Sequence, residues 1–389
     1  MTEKCNYLGM HPISRPLACL AVAGILFAGA CTNPADAETQ PIAAPAVSVS
    51  AASASASPAV SVSASPSATA GASPSVSAGL ASSAPASATA PAPASASAGD
   101  DEGPVVAPYV DILGTGTDIE EVHEKTGLTD FSLAFVLADA AGTCTPTWGG
   151  TTALDDSAVA GEIEAIDGIG GEVIVSTGGA TGTYLENVCS SGDLADAYAD
   201  ALDAAGSNHL DVDIEQDVDH RTVAAALAEL QAGRGTAISL TLPVGGTETG
   251  LTDADVELLR TLADAGVELT VNAMTMNFSY DSGWGEAMTE ATEAVHADLA
   301  TVWPGRTEAQ LYAMLGVTPM IGVNDTGPVT TVANARTVLA FAAAKGLGFV
   351  RFWSVNRDNG DCGDGELSGT CSGISQSDYA FTKLFAGFE

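Results

Sequence analysis

Eight short, nearly unbroken apolar runs recur along the later part of this chain, and the stretches between them carry helical spacing. The runs occupy 105–112, 131–138, 172–177, 209–215, 237–242, 268–276, 315–323 and 348–355. Helical patterns lie between several of them, at 192–205, 220–232, 253–265, 285–302 and 332–345. A strand with one wet face alternates apolar and polar residues. A strand apolar on both faces must be covered on both, which is the condition of a parallel sheet flanked by helices. Eight such βα units in one domain-length stretch predict an α/β fold, a (β/α)8 TIM barrel over 105–389. An open doubly wound sheet would use the same elements, and strand number alone does not separate the two.

The preceding third of the chain has a different character. Residues 1–31 carry Lys4 and Arg15, then an apolar stretch from Leu17 to Ala30 that is too short and wrongly flanked to span a membrane, which reads as a secretory signal. Its end, Phe27-Ala28-Gly29-Ala30-Cys31, is similar to a bacterial lipoprotein signal with Cys31 as the lipidated residue. Plain secretion, with cleavage near Ala35-Asp36-Ala37, is the rival. Residues 32–104 are almost all Ala, Ser, Pro, Val and Thr, which lack the bulk to bury a core; the expectation is a disordered tether.

The formal charge is −37, from 49 acids against 12 Lys and Arg. That balance argues against nucleic acid and anionic membrane surfaces as partners. It fits either a salt-adapted surface or a generally acidic exported protein. Beyond Cys31 the chain keeps Cys144, Cys189, Cys362 and Cys371. An even number in an exported domain suggests two disulfides. Cys362 and Cys371 share one loop, which leaves Cys144 for Cys189. The histidines show no ligand spacing with these cysteines, so no metal site is expected, and no cofactor.

The fourth run carries the chemistry. On a strand, Asp211, Asp213 and Glu215 share one face and Leu210, Val212 and Ile214 the other. Inside a barrel that acidic face has no water to turn to. Crowded carboxyls cannot all ionise cheaply, so at least one holds its proton at neutral pH. A second Asp-x-Asp-x-Glu, at Asp253, Asp255 and Glu257, follows Thr252 and precedes leucines at helical spacing, and there the acids read as a cap and first turn. Chemistry in a barrel gathers at the C-terminal strand ends. Those ends supply Tyr109, Asp111, Phe135, Ser176-Thr177-Gly178-Gly179, Glu215, Pro243, Asn277, Asn324-Asp325 and Trp353.

Three motifs in this order resemble glycoside hydrolase family 18, the chitinase family, across essentially all of 105–389. The third strand ends in Ser176-Thr177-Gly178-Gly179, the fourth carries Asp211, Asp213 and Glu215, and the eighth supplies Trp353 within Phe352-Trp353-Ser354. Two positions depart from the family pattern. Its first motif acid is Asn208 here, and the strand-six Met-x-Tyr-Asp is replaced by Met274-Thr275-Met276-Asn277, with Tyr280 nearby as a substitute phenol.

The resemblance implies an exported enzyme that cleaves β-1,4 links between N-acetylglucosamine units. Glu215 would be the general acid and the substrate's own acetamido oxygen the nucleophile. Asp213 would orient the acetamido group and Asp211 would hold Asp213 and tune the shared proton. Trp353, Asn277, Met274, Tyr280, Tyr109, Phe135 and Ser176 would meet the substrate. A monomer is expected, acting on an N-acetylglucosamine polymer or oligomer and tethered through Cys31 if lipidated. The competing class is a non-catalytic sugar-binding protein on the same barrel. No strand lysine or phosphate loop points to an aldolase or a nucleotide enzyme. Trp148 reads equally as a rim platform for sugar or as loop packing.

Overall fold

The computed structural model describes residues 104–115, 117–281 and 283–388. The stretch read as a secretory signal, with Cys31, and the Ala/Ser/Pro-rich tract up to 103 lie outside the described residues. Eight parallel strands form the centre: β1 (Tyr109–Asp111), β2 (Phe131–Ala138), β3 (Val173–Gly178), β4 (His209–Asp213), β5 (Ala237–Pro243), β6 (Thr270–Met274), β7 (Leu315–Val317) and β8 (Phe349–Val350). Each pairs in parallel with the next. The ring closes where Val106 bridges Val350 and the Tyr109 N–H donates to the Phe352 carbonyl at 3.0 Å. This is the expected (β/α)8 barrel rather than an open sheet.

Eight helices follow the strands: α1 (Ile119–Thr126), α2 (Ser157–Gly168), α3 (Ser191–Ala204), α4 (His220–Arg234), α5 (Asp253–Asp264), α6 (Trp284–Val302), α7 (Val332–Lys345) and α8 (Ala380–Phe385). Their starts are written in the sequence. Asp118, Asp156, Ser190, Asp219, Thr252 and Thr331 each accept first-turn N–H groups, satisfying donors that the helix leaves unpaired. The second acidic triplet sits where the helical reading put it: Thr252 and Asp255 form a capping box at the start of α5. That helix buries Val256, Leu258, Leu259 and Leu262 on the barrel wall. Each such side chain removed from water contributes about 1.5–3 kcal/mol.

The strands are shorter than the apolar runs. The first run bridges Val350 at Val106, is interrupted at Pro108, which has no N–H to give, and forms a continuous strand only from Tyr109. The sixth run leaves the ladder after Met274, and beyond Val317 and Val350 the seventh and eighth keep only an isolated parallel bridge between Met320 and Trp353; the three tails carry Met276, Met320 and Trp353 to the mouth. Two small antiparallel additions were absent from the sequence reading. Pro146–Trp148 and Thr152–Ala153 extend β2, and Gly322–Val323 pairs with Val329–Thr330 in a hairpin after β7. Trp148 is fully buried, so it is loop packing and not a rim platform. Both disulfides are formed as paired in the sequence reading, with Cα separations of 5.0 Å for Cys144–Cys189 and 6.0 Å for Cys362–Cys371.

Candidate active site

The turn after β3 explains its glycines. Gly178 and Gly179 have φ of +88° and +89°, a region that L side chains avoid. A Cβ on Gly178 would lie 1.9 Å from the Asp213 carbonyl oxygen, and one on Gly179 would run into the Phe135 ring. The Gly179 N–H donates to that same Asp213 carbonyl at 3.1 Å. The turn is therefore moulded on the end of β4 and holds Asp213 in place. Tyr184 completes the clamp: its hydroxyl donates to the Gly179 carbonyl at 2.5 Å and accepts the Glu215 N–H at 3.0 Å.

Below the mouth, Asp211 is wholly buried and accepts from five donors. Tyr109 and Ser176 hydroxyls reach Oδ2 at 2.9 and 2.7 Å. Ser239, Thr241 and the Arg351 guanidinium reach Oδ1 at 2.5, 2.7 and 2.8 Å. Asn272 extends the network, donating to Tyr109 and Thr241 and accepting from Thr318 at 2.9 Å. Asp211 is thus the counter-ion of Arg351, which sequence reasoning missed. A buried ion pair is strongly destabilised, by about 3–5 kcal/mol, when one partner is removed.

Asp213 stands in contrast. It is buried, and its Oδ1 has no hydrogen-bond partner among the described residues. Burial first, then the neighbouring Glu215 and Asp211 charges, push its proton affinity well above the ordinary carboxylate range, with Arg351 pulling the other way. Glu215 lies just past the end of β4, with an exposed side chain that opens onto the cavity. The protein packed around its carboxyl, then Asp325, raise its proton affinity too. The crowding therefore falls on a pair, Asp213 and Glu215, because Arg351 has neutralised the third acid. Such a pair titrates jointly, and it retains a proton at pH values where free carboxylates have lost theirs.

The cavity above the pair measures about 220 Å3 and is lined by Tyr109, Phe135, Met274, Met276, Asn277 and Trp353, among others. The Phe135 and Trp353 rings stack, with centroids 5.5 Å apart and planes inclined by 14°. Met274, Met276 and Met320 pack beside Trp353. The result is an apolar, partly aromatic wall facing two acids.

The sequence-derived candidates divide accordingly. Tyr109, Phe135, Asp213, Glu215, Met274, Asn277 and Trp353 line the one cavity. Asp211 and Ser176 lie beneath it, with Ser176 spent on Asp211. Tyr280 is not in the cavity; it is half-exposed and packs its ring on Trp284, 4.8 Å away, so it does not take the place of the missing phenol. Asn208 lies before β4, at the opposite end from the mouth, where it accepts from Thr236 and Arg234 and donates to the Arg234 carbonyl. It meets none of the three acids, so it has no share in their protons. Asp325, noted in the sequence only as a strand-end residue, faces the cavity and bonds to Asn277.

A closed parallel barrel with paired acids and an aromatic wall at its C-terminal mouth is the architecture of a carbohydrate-processing barrel. No protein-family model matches the chain. Over 73% of its length the chain is 33% identical to the catalytic domain of a hyperthermophilic chitinase from Pyrococcus furiosus, covering 94% of that domain with a TM-score of 0.67. Catalytic-site mutants of active domain 2 of a thermostable chitinase from the same organism, solved with chito-oligosaccharides, give 32% identity over 93% of that chain, again at a TM-score of 0.67. It is also 34% identical over 311 residues to a probable bifunctional chitinase/lysozyme of Escherichia coli and 33% identical over 279 residues to endochitinase 11 of Metarhizium anisopliae. The matches span 34% and 52% of those two proteins. The chain belongs to glycoside hydrolase family 18, the chitinase family.

Proposed function

We propose that this protein hydrolyses β-1,4 links between N-acetylglucosamine units by substrate-assisted, retaining catalysis. The observation that carries the reading is the Asp213–Glu215 pair, joined by proximity and raised in proton affinity, at the mouth of an aromatic-walled cavity. Glu215 gives its proton to the glycosidic oxygen as the C–O bond breaks. The substrate's acetamido oxygen closes on the anomeric carbon, forming an oxazolinium ion. Asp213 accepts the acetamido N–H and balances the positive charge. The Glu215 carboxylate then takes a proton from water, whose oxygen opens the ring with configuration retained. Trp353 and Phe135 carry the apolar face of the sugar.

The reading also draws on the relatives, which are named as chitinases, one set being solved with chito-oligosaccharides. The test is Glu215→Gln on a defined chito-oligosaccharide series, with products resolved by chromatography. Turnover should fall about 10³-fold, within the usual range for a lost general acid, while sugar affinity persists. Wild-type turnover in that variant would refute the assignment. Export and tethering through a lipid on Cys31 complete the proposal. An intact-mass measurement of the mature N-terminus tests it, and an unmodified start after Ala37 would end the lipid claim.

A further inference from the structure

Asp213 and Glu215 both line the same mouth and crowding raises the proton affinity of each, and the deeper of the two is the wrong place for a retained proton. Burial alone favours Asp213, since it is enclosed while Glu215 opens onto the cavity. A proton held there leaves Glu215 with nothing to give. Some feature must favour Glu215, and the group placed to do so is Asp325.

Asp325 lines the same cavity, at the tip of the hairpin formed by Gly322–Val323 and Val329–Thr330. That tip is fixed from several sides. The Asn277 Nδ2 donates to Asp325 Oδ2 at 2.9 Å, from a residue in the left-handed region at φ 62°. Asn324, next to it, is buried and donates to the Met320 and Gly322 carbonyls at 2.9 and 3.1 Å. Behind the hairpin, the buried Arg357 guanidinium donates to the Ile321 and Val323 carbonyls at 3.0 and 2.6 Å and to the Ser368 carbonyl. The Val323 N–H donates to the Ser372 carbonyl at 2.8 Å, next to the Cys362–Cys371 bridge. A residue at a hairpin tip is ordinarily free to swing; this one is held against the mouth.

We propose that Asp325 is a positioning residue that steers the proton of the acid pair onto Glu215. The proposal rests on Glu215 being the general acid. The groups facing the pair are each other, the Asp211–Arg351 ion pair below, Tyr109 on β1, Tyr184 and the buried Glu186 on the β3 side, and Asp325 on the hairpin side. Asp325 faces the cavity onto which Glu215 opens, and its charge raises the proton affinity of Glu215. Arg357, behind the hairpin, spends its guanidinium on backbone carbonyls and makes no ion pair with a carboxylate among the described residues, although it lies within reach of the Asp325 charge. Removing a like charge makes an acid give up its proton at lower pH. The alkaline limb of activity, which needs protonated Glu215, then moves down.

The experiment is the pH dependence of kcat/KM on a soluble chito-oligosaccharide for wild type, Asp325→Asn and Asp325→Ser, with the Glu215 carboxyl followed by carbon NMR in the sugar-free protein. Asparagine keeps an oxygen for Asn277, and serine removes the charge without needing the amide to fit, so a folding failure of one leaves the other. The expected result is an alkaline limb lower by about 0.5–1 pH unit, with Glu215 titrating lower by a similar amount. Above the wild-type limb this is a rate loss of about three- to tenfold. An unmoved limb overturns the proposal. So does a uniform loss at every pH with raised KM, which would make Asp325 a sugar contact. If Glu215→Gln proves fully active, the general-acid reading fails, and the NMR titration of Glu215 still decides whether Asp325 acts on it.

Discussion

A buried carboxyl with an unpartnered oxygen costs stability whenever it is charged, and Asp213, whose Oδ1 has no hydrogen-bond partner among the described residues, is such a group. Its proton affinity is higher in the folded chain than in the unfolded one, with burial the main cause. The folded state therefore binds the proton more tightly, so stability is greatest below the unfolded value of about 3.9 and falls as pH rises through the folded value. Asp213→Asn removes that loss. It should melt about 3 °C above wild type at pH 8 and together with it at pH 3, by calorimetry, while turnover collapses. A variant less stable than wild type at pH 8 would contradict the account. The two acids of β4 and Glu215 just beyond it were legible from period 2 and from their motif. Arg351 was not, although its signal was present: a lone cation inside an apolar run that must be covered on both faces demands a buried anion. The partner, Asp211, is 140 residues away, and no local pattern names it.

At the level of elements, β4 and the turn after β3 behave as one part. Gly178→Ala would place a methyl 1.9 Å from the Asp213 carbonyl and force an L residue to φ +88°. The turn and the strand end must then separate. The expected cost is about 2–4 kcal/mol, from strain and overpacking together. Because the displaced atoms carry Asp213, kcat should fall at least about tenfold while KM changes less. Denaturant melts and steady-state kinetics read the two quantities, and an unchanged kcat would show that the turn does not locate the acids. Helix boundaries were readable because caps are local chemistry, as at Thr252 and Asp255. Strand ends were not, since the tails bearing Met276, Met320 and Trp353 are as apolar as the ladder, yet they pack on one another at the cavity and keep only a single bridge, Met320 to Trp353.

For the whole molecule, the repeat of eight units predicted a parallel sheet covered by helices, but its closure into a barrel was legible only in the pairing of the first and last units, Val106 with Val350. The rim was less readable. Tyr280 has the composition of a sugar contact, but its place is set by Trp284, which the eight-unit pattern assigns no role. The charge of −37 acts at this same scale. Self-repulsion among carboxylates weakens as salt shortens the screening length from about 10 Å at 0.1 M to about 3 Å at 1 M. The melting temperature should accordingly rise by about 5 °C across that range. A flat response in calorimetry would mean that the acids are spaced too widely to matter.

The polar cluster around Asp211 fills the barrel axis from Asn272 and Thr318 across to Arg351, directly under the acids. The cavity is consequently a bowl with a sealed base. Whatever occupies it must enter and leave by the mouth, because buried side chains close the barrel axis beneath.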